Sequence, residues 1–231
     1  MKAVSSQQSA INRKRTKNTI SFKLYLITDR TVLLKTPNYE LQTTNLFAAI
    51  EEALKGGIRA VQLREKDLGI RDLLKMAYEL RKITAGYAAK LFINDRVDVA
   101  IAADADGVHL GQGSMPAHAA KKASDGKLMV GVSAHTIEEA LFAENDGADF
   151  ITFGPVYPTP SKLKYGKPVG INALRNVASE INIPVFAIGG ITEERINEIM
   201  DCGADGIALI SAILGSSDIK HTTERFLGCI K

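Results

Sequence analysis

From Phe22 onward, short apolar runs alternate with longer stretches whose apolar residues recur at helical spacing. The runs are Leu24–Thr28, Ala60–Leu63, Lys90–Ile93, Gly107–Leu110, Leu128–Val132, Phe150–Phe153, Pro184–Ile188 and Gly206–Ile210. Each is rich in β-branched or aromatic residues and has turn residues beside it, the pattern of a strand buried on both faces. Between them, Asn45–Leu54, Arg71–Leu80 and Ile137–Glu144 carry apolar residues on one helical face. Thr192 stands where a further helix would be capped, with Arg195 in the place of a capping-box acid. Alternating strands and helices predict a parallel sheet with helices outside it. Eight strands within about 190 residues fit an α/β fold, a single-domain (β/α)8 TIM barrel at the short end of its range. An open doubly wound sheet is the alternative.

A weak internal echo supports repetition. The segments beginning at Gly57, Ala105, Gly147 and Gly203 share one pattern, in which a helix ends, a short turn follows and a buried strand begins. Three of them carry Ala-Asp in the turn, and a glycine there supplies a left-handed helix cap. This pattern reports architecture rather than chemistry.

Composition narrows the class. Hydrophobic residues make up 45% of the 231 and charged residues 24%, ordinary for a soluble globular protein. No apolar run approaches the ~20 residues that span a bilayer, so no membrane partner is expected. A formal charge of +3 is too small and scattered to make nucleic acid the expected partner. Cys202 and Cys229 exclude a disulfide framework and suggest buried thiols in a reducing compartment. Residues 1–21 read as a flexible basic tail, with the cluster Arg13–Lys17 and no secretory apolar stretch after it. That cluster is either an anion- or nucleic-acid-binding arm or, more simply, a frayed tail. Residues 22–231 read as the barrel domain, with no linker and a cytoplasmic location. The oligomeric state stays open, a homo-oligomer included.

In barrels of this class, active residues follow the C-terminal ends of the strands. The second run contains Gln62 and leads into Arg64, Glu65 and Lys66; the third leads into Asn94 and Asp95. Ser133 and His135 follow the fifth, and Thr159, Ser161 and Lys162 follow the sixth. Gly189 and Gly190 follow the seventh, and Ser211 follows the eighth. Arg64, Lys66 and Lys162, with the hydroxyls of Ser133, Thr159 and Ser161, suit an extended anion such as pyrophosphate. Asp95 among them suits Mg2+, which keeps waters and needs only one or two carboxylates plus substrate phosphates. Gly189, Gly190 and Ser211 suit a second phosphate held by backbone amides. His135 is either an acid–base group or part of a helix start. His109 reads as a hydrogen-bonded core or rim histidine, and His118 and His221 as surface residues.

At these positions the chain resembles the thiamine phosphate synthase family and its relatives, the TenI-type thiazole tautomerases. The resemblance covers nearly everything from Tyr25 to Ile213. It rests on Tyr25–Asp29, Val61–Lys66, Phe92–Asp95, Gly107–Gln112, Gly131–His135, Phe153–Thr159 with Ser161 and Lys162, and Ala187–Ile191. It implies a TIM barrel that joins a pyrimidine pyrophosphate to a (carboxy)thiazole phosphate through a pyrimidine carbocation, releasing pyrophosphate. By motif match, Arg64, Lys66, Asn94, Ser133 and Lys162 hold the pyrophosphate and Gln62 lies close to the pyrimidine. Asp95 binds Mg2+, and Thr159 and Ser161 match a hydroxyl pair in the family's flexible loop. Gly189, Gly190, Ile210 and Ser211 match the thiazole-phosphate site.

One departure stands out. Ser114 occupies the place of the acid that the resemblance gives as the second metal ligand. That leaves Asp95 alone, with Glu65 the candidate for any second carboxylate. Ser114 and His135 look like the tautomerase branch, whereas Lys66 and Asp95 belong to the synthase branch. Three functions follow: a synthase as the lead, a tautomerase that moves a proton with His135, or a catalytically silent barrel that binds a phosphorylated ligand.

Overall fold

The structure, a computed structural model, describes residues 20–33, 46–159 and 167–230. The basic cluster Arg13–Lys17, Ser161 and Lys162 lie outside the described residues. Eight short strands form: β1 (Leu24–Ile27), β2 (Ala60–Leu63), β3 (Lys90–Asn94), β4 (Gly107–Leu110), β5 (Met129–Ala134), β6 (Phe150–Phe153), β7 (Val185–Ile188) and β8 (Gly206–Leu209). They close in sequence order into a barrel of parallel neighbours, with Leu24–Leu26 of β1 registered on Ile207–Leu209 of β8. The expected (β/α)8 barrel therefore forms, and the open sheet does not.

Helices cover the outside: α1 (Arg30–Leu33), α2 (Leu46–Lys55), α3 (Ile70–Gly86), α4 (Val97–Ala102), α5 (Ala117–Ala123), α6 (Ile137–Asn145), α7 (Ile171–Glu180), α8 (Ile196–Asp201), α9 (Ser211–Leu214) and α10 (Ile219–Cys229). Their apolar stripes face the strands. In α2 these are Leu46, Ala49, Ile50, Ala53 and Leu54, all buried. Thr136 caps α6 by accepting from the Glu139 amide at 3.2 Å. No helix among the described residues is long and apolar enough to cross a membrane.

The barrel interior has its own core of Phe22, Tyr25, Ile27, Ala60, Phe92, Phe150, Phe186 and Ala208. Its rings meet edge to face, Tyr25 on Phe92 at 5.3 Å and Phe92 on Phe150 at 5.5 Å. Such pairs add about 0.5–1.5 kcal/mol beyond the area they bury. Three of these rings fit because a neighbouring strand offers glycine. A Cβ on Gly107 would sit 2.5 Å from the Phe92 ring, one on Gly131 2.4 Å from Phe150, and one on Gly206 2.5 Å from Phe186.

The repeated turn is a clasp at the opposite end of the barrel from the site. Asp106, Asp149 and Asp205 precede β4, β6 and β8. Their carboxylates accept the Leu91, Val130 and Val185 amides at 2.8, 2.6 and 2.9 Å. Their own amides donate to the carbonyls of the same three residues. Each aspartate thus fixes the start of its own strand to the start of a neighbour. Burial works against the Asp106 charge, but the Leu91 amide and Arg81 outweigh it and hold the carboxyl below its usual range. Gly57, Gly147 and Gly203 take the expected positive φ of +108°, +93° and +88°, and Asp104 takes that role in the Ala105 copy.

Three elements differ from the sequence expectation, the first being β3, which takes in Asn94 as its last residue. β5 runs on to Ala134, so Ser133 lies within a strand rather than after one. Thr192 precedes a 3-10 turn at Glu193–Arg195 rather than a full helix, and α8 starts only at Ile196. Arg195 cannot close a capping box because it donates rather than accepts. Instead it lies 4.3 Å over the Tyr157 ring and donates to the Gly190 carbonyl.

Candidate active site

A polar layer lies directly on the aromatic core. Gln62, His109 and Thr152 are buried and Ser133 is half-buried. Gln62 Nε2 donates to the Tyr25 hydroxyl at 3.1 Å, tying the layer to the rings beneath. His109 Nε2 lies 3.1 Å from Ser133 Oγ and 3.3 Å from Thr152 Oγ1. The two hydroxyls are 3.4 Å apart. Burial, with a smaller push from Arg64, pulls the His109 pKa down to about 3, so the ring is neutral at pH 7.

The next layer outward carries the charges. The Arg64 amide donates to Thr28 Oγ1 at 2.8 Å, and Thr28 is fully buried at the end of β1. Glu65 turns the other way. Both its oxygens accept the Arg30 amide at 3.2 Å, and Arg30 Nη2 reaches Asp67 at 2.6 Å. Burial pushes the Glu65 carboxyl up, and the Thr28 hydroxyl and Arg30 amide draw it partly back. The loops after β1 and β2 are therefore clamped together, with Arg64 and Lys66 on either side of the clamping carboxylate. Glu65 is committed to the start of α1 and is not the second carboxylate of a metal site.

Asn94 ends β3, and Asp95 follows at φ +67° with its amide on the His109 carbonyl at 2.8 Å. The Asp95 side chain is exposed at the mouth. Ser114 Oγ accepts the Gly111 amide at 2.8 Å and closes its own turn. No group of three or more His, Cys, Asp or Glu side chains able to hold a metal occurs among the described residues. One exposed carboxylate suits Mg2+ only where substrate oxygens and water complete the shell.

On the opposite side, the segment after β6 runs along the end of β7. Val156 donates to Ile188 O at 2.9 Å and Tyr157 to Gly189 O at 3.0 Å. Only glycine allows this approach. Gly189 has φ +99°, and a Cβ there would sit 2.5 Å from Pro155; Gly190 has φ +66°, and its Cβ would sit 2.8 Å from Pro158 O. Tyr157 donates to Glu198 at 2.7 Å, and burial with that carboxylate pushes its pKa to about 12. Thr159 is half-buried beside this segment, Ile210 packs on the inner core, and exposed Ser211 begins α9.

His135 is exposed two residues after Ser133, its amide donating to Glu139 at 2.6 Å. Its Nδ1 meets the Gly154 carbonyl, which can only accept, so Nδ1 carries the proton and Nε2 is the nitrogen left for other chemistry. His118 and His221 are exposed and pair with Asp146 and Asp218.

Every described residue expected at the site thus comes from the C-terminal end of a strand or the loop after it. Thr28, Thr152, Tyr157 and Arg195 were not among the expected residues. Inward alternation in β6, registered on β5 through Ser133 and Thr152, is the signal that finds Thr152. The other three act through partners distant in sequence.

A closed eight-stranded barrel with cations, hydroxyls and close-packed glycines at one mouth places the chain in the class of (β/α)8 barrels. Comparison with known proteins makes the assignment specific. The chain belongs to the thiamine monophosphate synthase family, whose model matches residues 24–213. A relative in Geobacter sulfurreducens is 50% identical over 211 residues, 91% of this chain and 95% of its own. The thiamine-phosphate synthase of Clostridium acetobutylicum is 42% identical over 212 residues, 92% of this chain and 96% of its own. The solved thiamine phosphate pyrophosphorylase of Pyrococcus furiosus superposes with a TM-score of 0.80 at 39% identity, covering 90% of this chain and 95% of its own.

Proposed function

We propose that this barrel is a thiamine-phosphate synthase, a transferase that joins hydroxymethylpyrimidine pyrophosphate to a thiazole phosphate or its carboxy form. The observation that carries this reading is 42% identity to a thiamine-phosphate synthase across 92% of the chain. The bond between the pyrimidine methylene and the pyrophosphate oxygen breaks, and its electron pair leaves with pyrophosphate. The thiazole nitrogen then gives its lone pair to the resulting pyrimidine carbocation, and the carboxy form in addition loses its carboxylate as CO2. Charge builds on the departing oxygens, so fixed cations and donors are the stabilising elements. Arg64, Lys66, Asn94, Ser133 and Lys162 are the groups we assign to the pyrophosphate, with Gln62 toward the pyrimidine. Thr159 and Ser161 add hydroxyl donors, and Gly189, Gly190, Ile210 and Ser211 take the thiazole phosphate. Asp95 is the residue we assign to Mg2+, which supplies further positive charge to the leaving group when bound. We place the protein in the cytoplasm, consistent with Cys202 and Cys229 being free thiols.

The test is incubation with both substrates and Mg2+, assayed for thiamine phosphate. Product is expected, and its absence from folded protein overturns the reading. Lys162→Ala should lower turnover about a hundredfold, since one positioned cation is worth about 3 kcal/mol in such a transition state. An unchanged rate in that variant removes Lys162 from the mechanism. A second reading, thiazole tautomerisation, is favoured by Ser114 in the place of the second metal carboxylate and by the available Nε2 of His135.

A further inference from the structure

We infer that His109 is a positioning residue, whose Nε2–H fixes the Ser133 hydroxyl so that the Ser133 proton is aimed out of the barrel at an oxyanion in the mouth. The starting point is an accounting problem. His109 is 3% exposed, and Nδ1 is a buried side-chain polar atom with no hydrogen-bond partner among the described residues. Nε2 meets both the Ser133 and the Thr152 hydroxyls. A neutral imidazole carries one N–H, so the orphaned atom is either a donor or an acceptor.

The neighbouring strand decides between them. A Cβ built on Gly131 would sit 2.6 Å from Nδ1 and 2.4 Å from the Phe150 ring, so a Cα hydrogen of Gly131 lies against that nitrogen and that ring. A C–H aimed at a lone pair is weakly favourable, whereas one aimed at an N–H is a clash of hydrogens. Buried N–H groups left without an acceptor are also rare. Both arguments put the lone pair on Nδ1 and the proton on Nε2. The Gly131 backbone thereby selects the tautomer.

The consequence passes to Ser133. Its oxygen accepts from Nε2 at 3.1 Å, and the Thr152 hydroxyl donates to the same oxygen at 3.4 Å. With both inward directions occupied by donors, the Ser133 proton is left to the outward direction. Ser133 is half-buried, which leaves that direction open to the mouth. A hydroxyl held this way is a preorganised donor to an oxyanion and needs no reorientation when the anion arrives. That the anion is pyrophosphate rests on the synthase reading; the tautomer and the hydroxyl direction do not.

Two measurements test the inference without using the synthase reaction. In nitrogen NMR of the wild-type protein, the His109 ring is assigned by replacing the three exposed histidines with Asn, one at a time. The expected spectrum shows protonated Nε2 and unprotonated Nδ1; the reverse pattern overturns the inference. Affinity for inorganic pyrophosphate is then measured for His109→Gln, His109→Asn, Ser133→Ala and the paired variants. Gln reaches as far as Nε2 and retains a donor there, so affinity should stay within about threefold of wild type. Asn reaches only as far as Nδ1 and should lose about tenfold, the scale of one hydrogen bond to a charged group. In the Ser133→Ala background, His109→Asn should cost nothing further, because its effect passes through that hydroxyl. Additive losses, or equal losses for Gln and Asn, overturn the inference. Wild-type protein that binds pyrophosphate but makes no thiamine phosphate overturns the synthase reading and leaves the hydroxyl assignment standing.

Discussion

Arg64 and His135 separate the two chemistries that fit this mouth. Arg64 is half-buried, and its backbone is pinned by buried Thr28. On the synthase reading, a cation on so fixed a stretch of backbone would stabilise the leaving pyrophosphate. Arg64→Ala should therefore cost synthesis about a hundredfold. It should spare thiazole isomerisation, which has no leaving pyrophosphate. A proton carrier contributes ~10²–10⁴-fold where a proton must leave carbon. His135→Asn should then abolish most isomerisation and reduce synthesis only slightly. Both reactions are to be measured on both variants. Synthesis intact in Arg64→Ala and isomerisation intact in His135→Asn would favour the silent barrel. At this scale the sequence shows the charges more readily than what holds them. Arg64, Asn94 and Asp95 are visible because they follow apolar runs. Their supports are hidden, since Glu65 and the Arg30 amide stand 35 positions apart. His109 reads only as a buried or rim histidine, because its two hydroxyl partners depend on strand register.

The strands place this site through a complement of rings and gaps. Phe92, Phe150 and Phe186 fill the interior, and Gly107, Gly131 and Gly206 make room for them. Gly131 is the critical case, because it touches both the Phe150 ring and His109 Nδ1. Gly131→Ala should destabilise by about 1–3 kcal/mol, the usual cost of overpacking a close-fitted core. Gly113→Ala, with nothing near the added carbon, should change stability by less than about 0.5 kcal/mol. Denaturant midpoints compare the two, and equal midpoints would mean the interior relaxes around the methyl group. The aspartate clasps make a different prediction. The Asp106 carboxyl is held below its usual pKa, so its charge stabilises the fold above the ordinary carboxylate range. That contribution is lost as pH falls through the lowered value. Asp106→Asn should cost about 1 kcal/mol at pH 7 and progressively less as the pH falls below the ordinary carboxylate range, as read from urea unfolding at each pH. A constant difference across that range would assign the loss to packing rather than charge. Each strand is legible in the sequence because burial on both faces leaves a short, mostly apolar run, interrupted by single polar residues such as Gln62 and His109. The extension of β5 through Ser133 is not, because a half-buried serine at a barrel mouth breaks that run.

At the scale of the whole molecule, the candidate site is assembled from loops that follow several strands, and the synthase reading predicts that the ligand completes it. Asp95 is a single exposed carboxylate, Ser114 is committed to Gly111, and Glu65 is committed to Arg30. Mg2+ prefers six oxygens and gives up its waters reluctantly, so one carboxylate alone should hold it poorly. Pyrophosphate would bring several oxygens, and on the synthase reading Arg64 and Lys66 would hold its remaining charge. Each ligand should therefore raise the affinity for the other by the same factor, as linkage requires. The expected pattern shows in thermal unfolding of the intact protein. Mg2+ alone should leave Tm nearly unchanged. Adding pyrophosphate at about a hundredfold over its Kd in saturating Mg2+ should contribute about 2.7 kcal/mol beyond Mg2+ alone. At about 2–4 °C per kcal/mol for a chain of this length, Tm should rise by about 5–10 °C. Asp95→Asn should abolish the coupling while leaving weak pyrophosphate binding in place. Ser114→Asp should make Mg2+ bind without pyrophosphate, because it sets a second carboxylate on the loop after β4. Tight Mg2+ binding to the unsubstituted protein in the absence of pyrophosphate would show that other protein oxygens complete the shell, and the shared-ligand account of this mouth would be wrong.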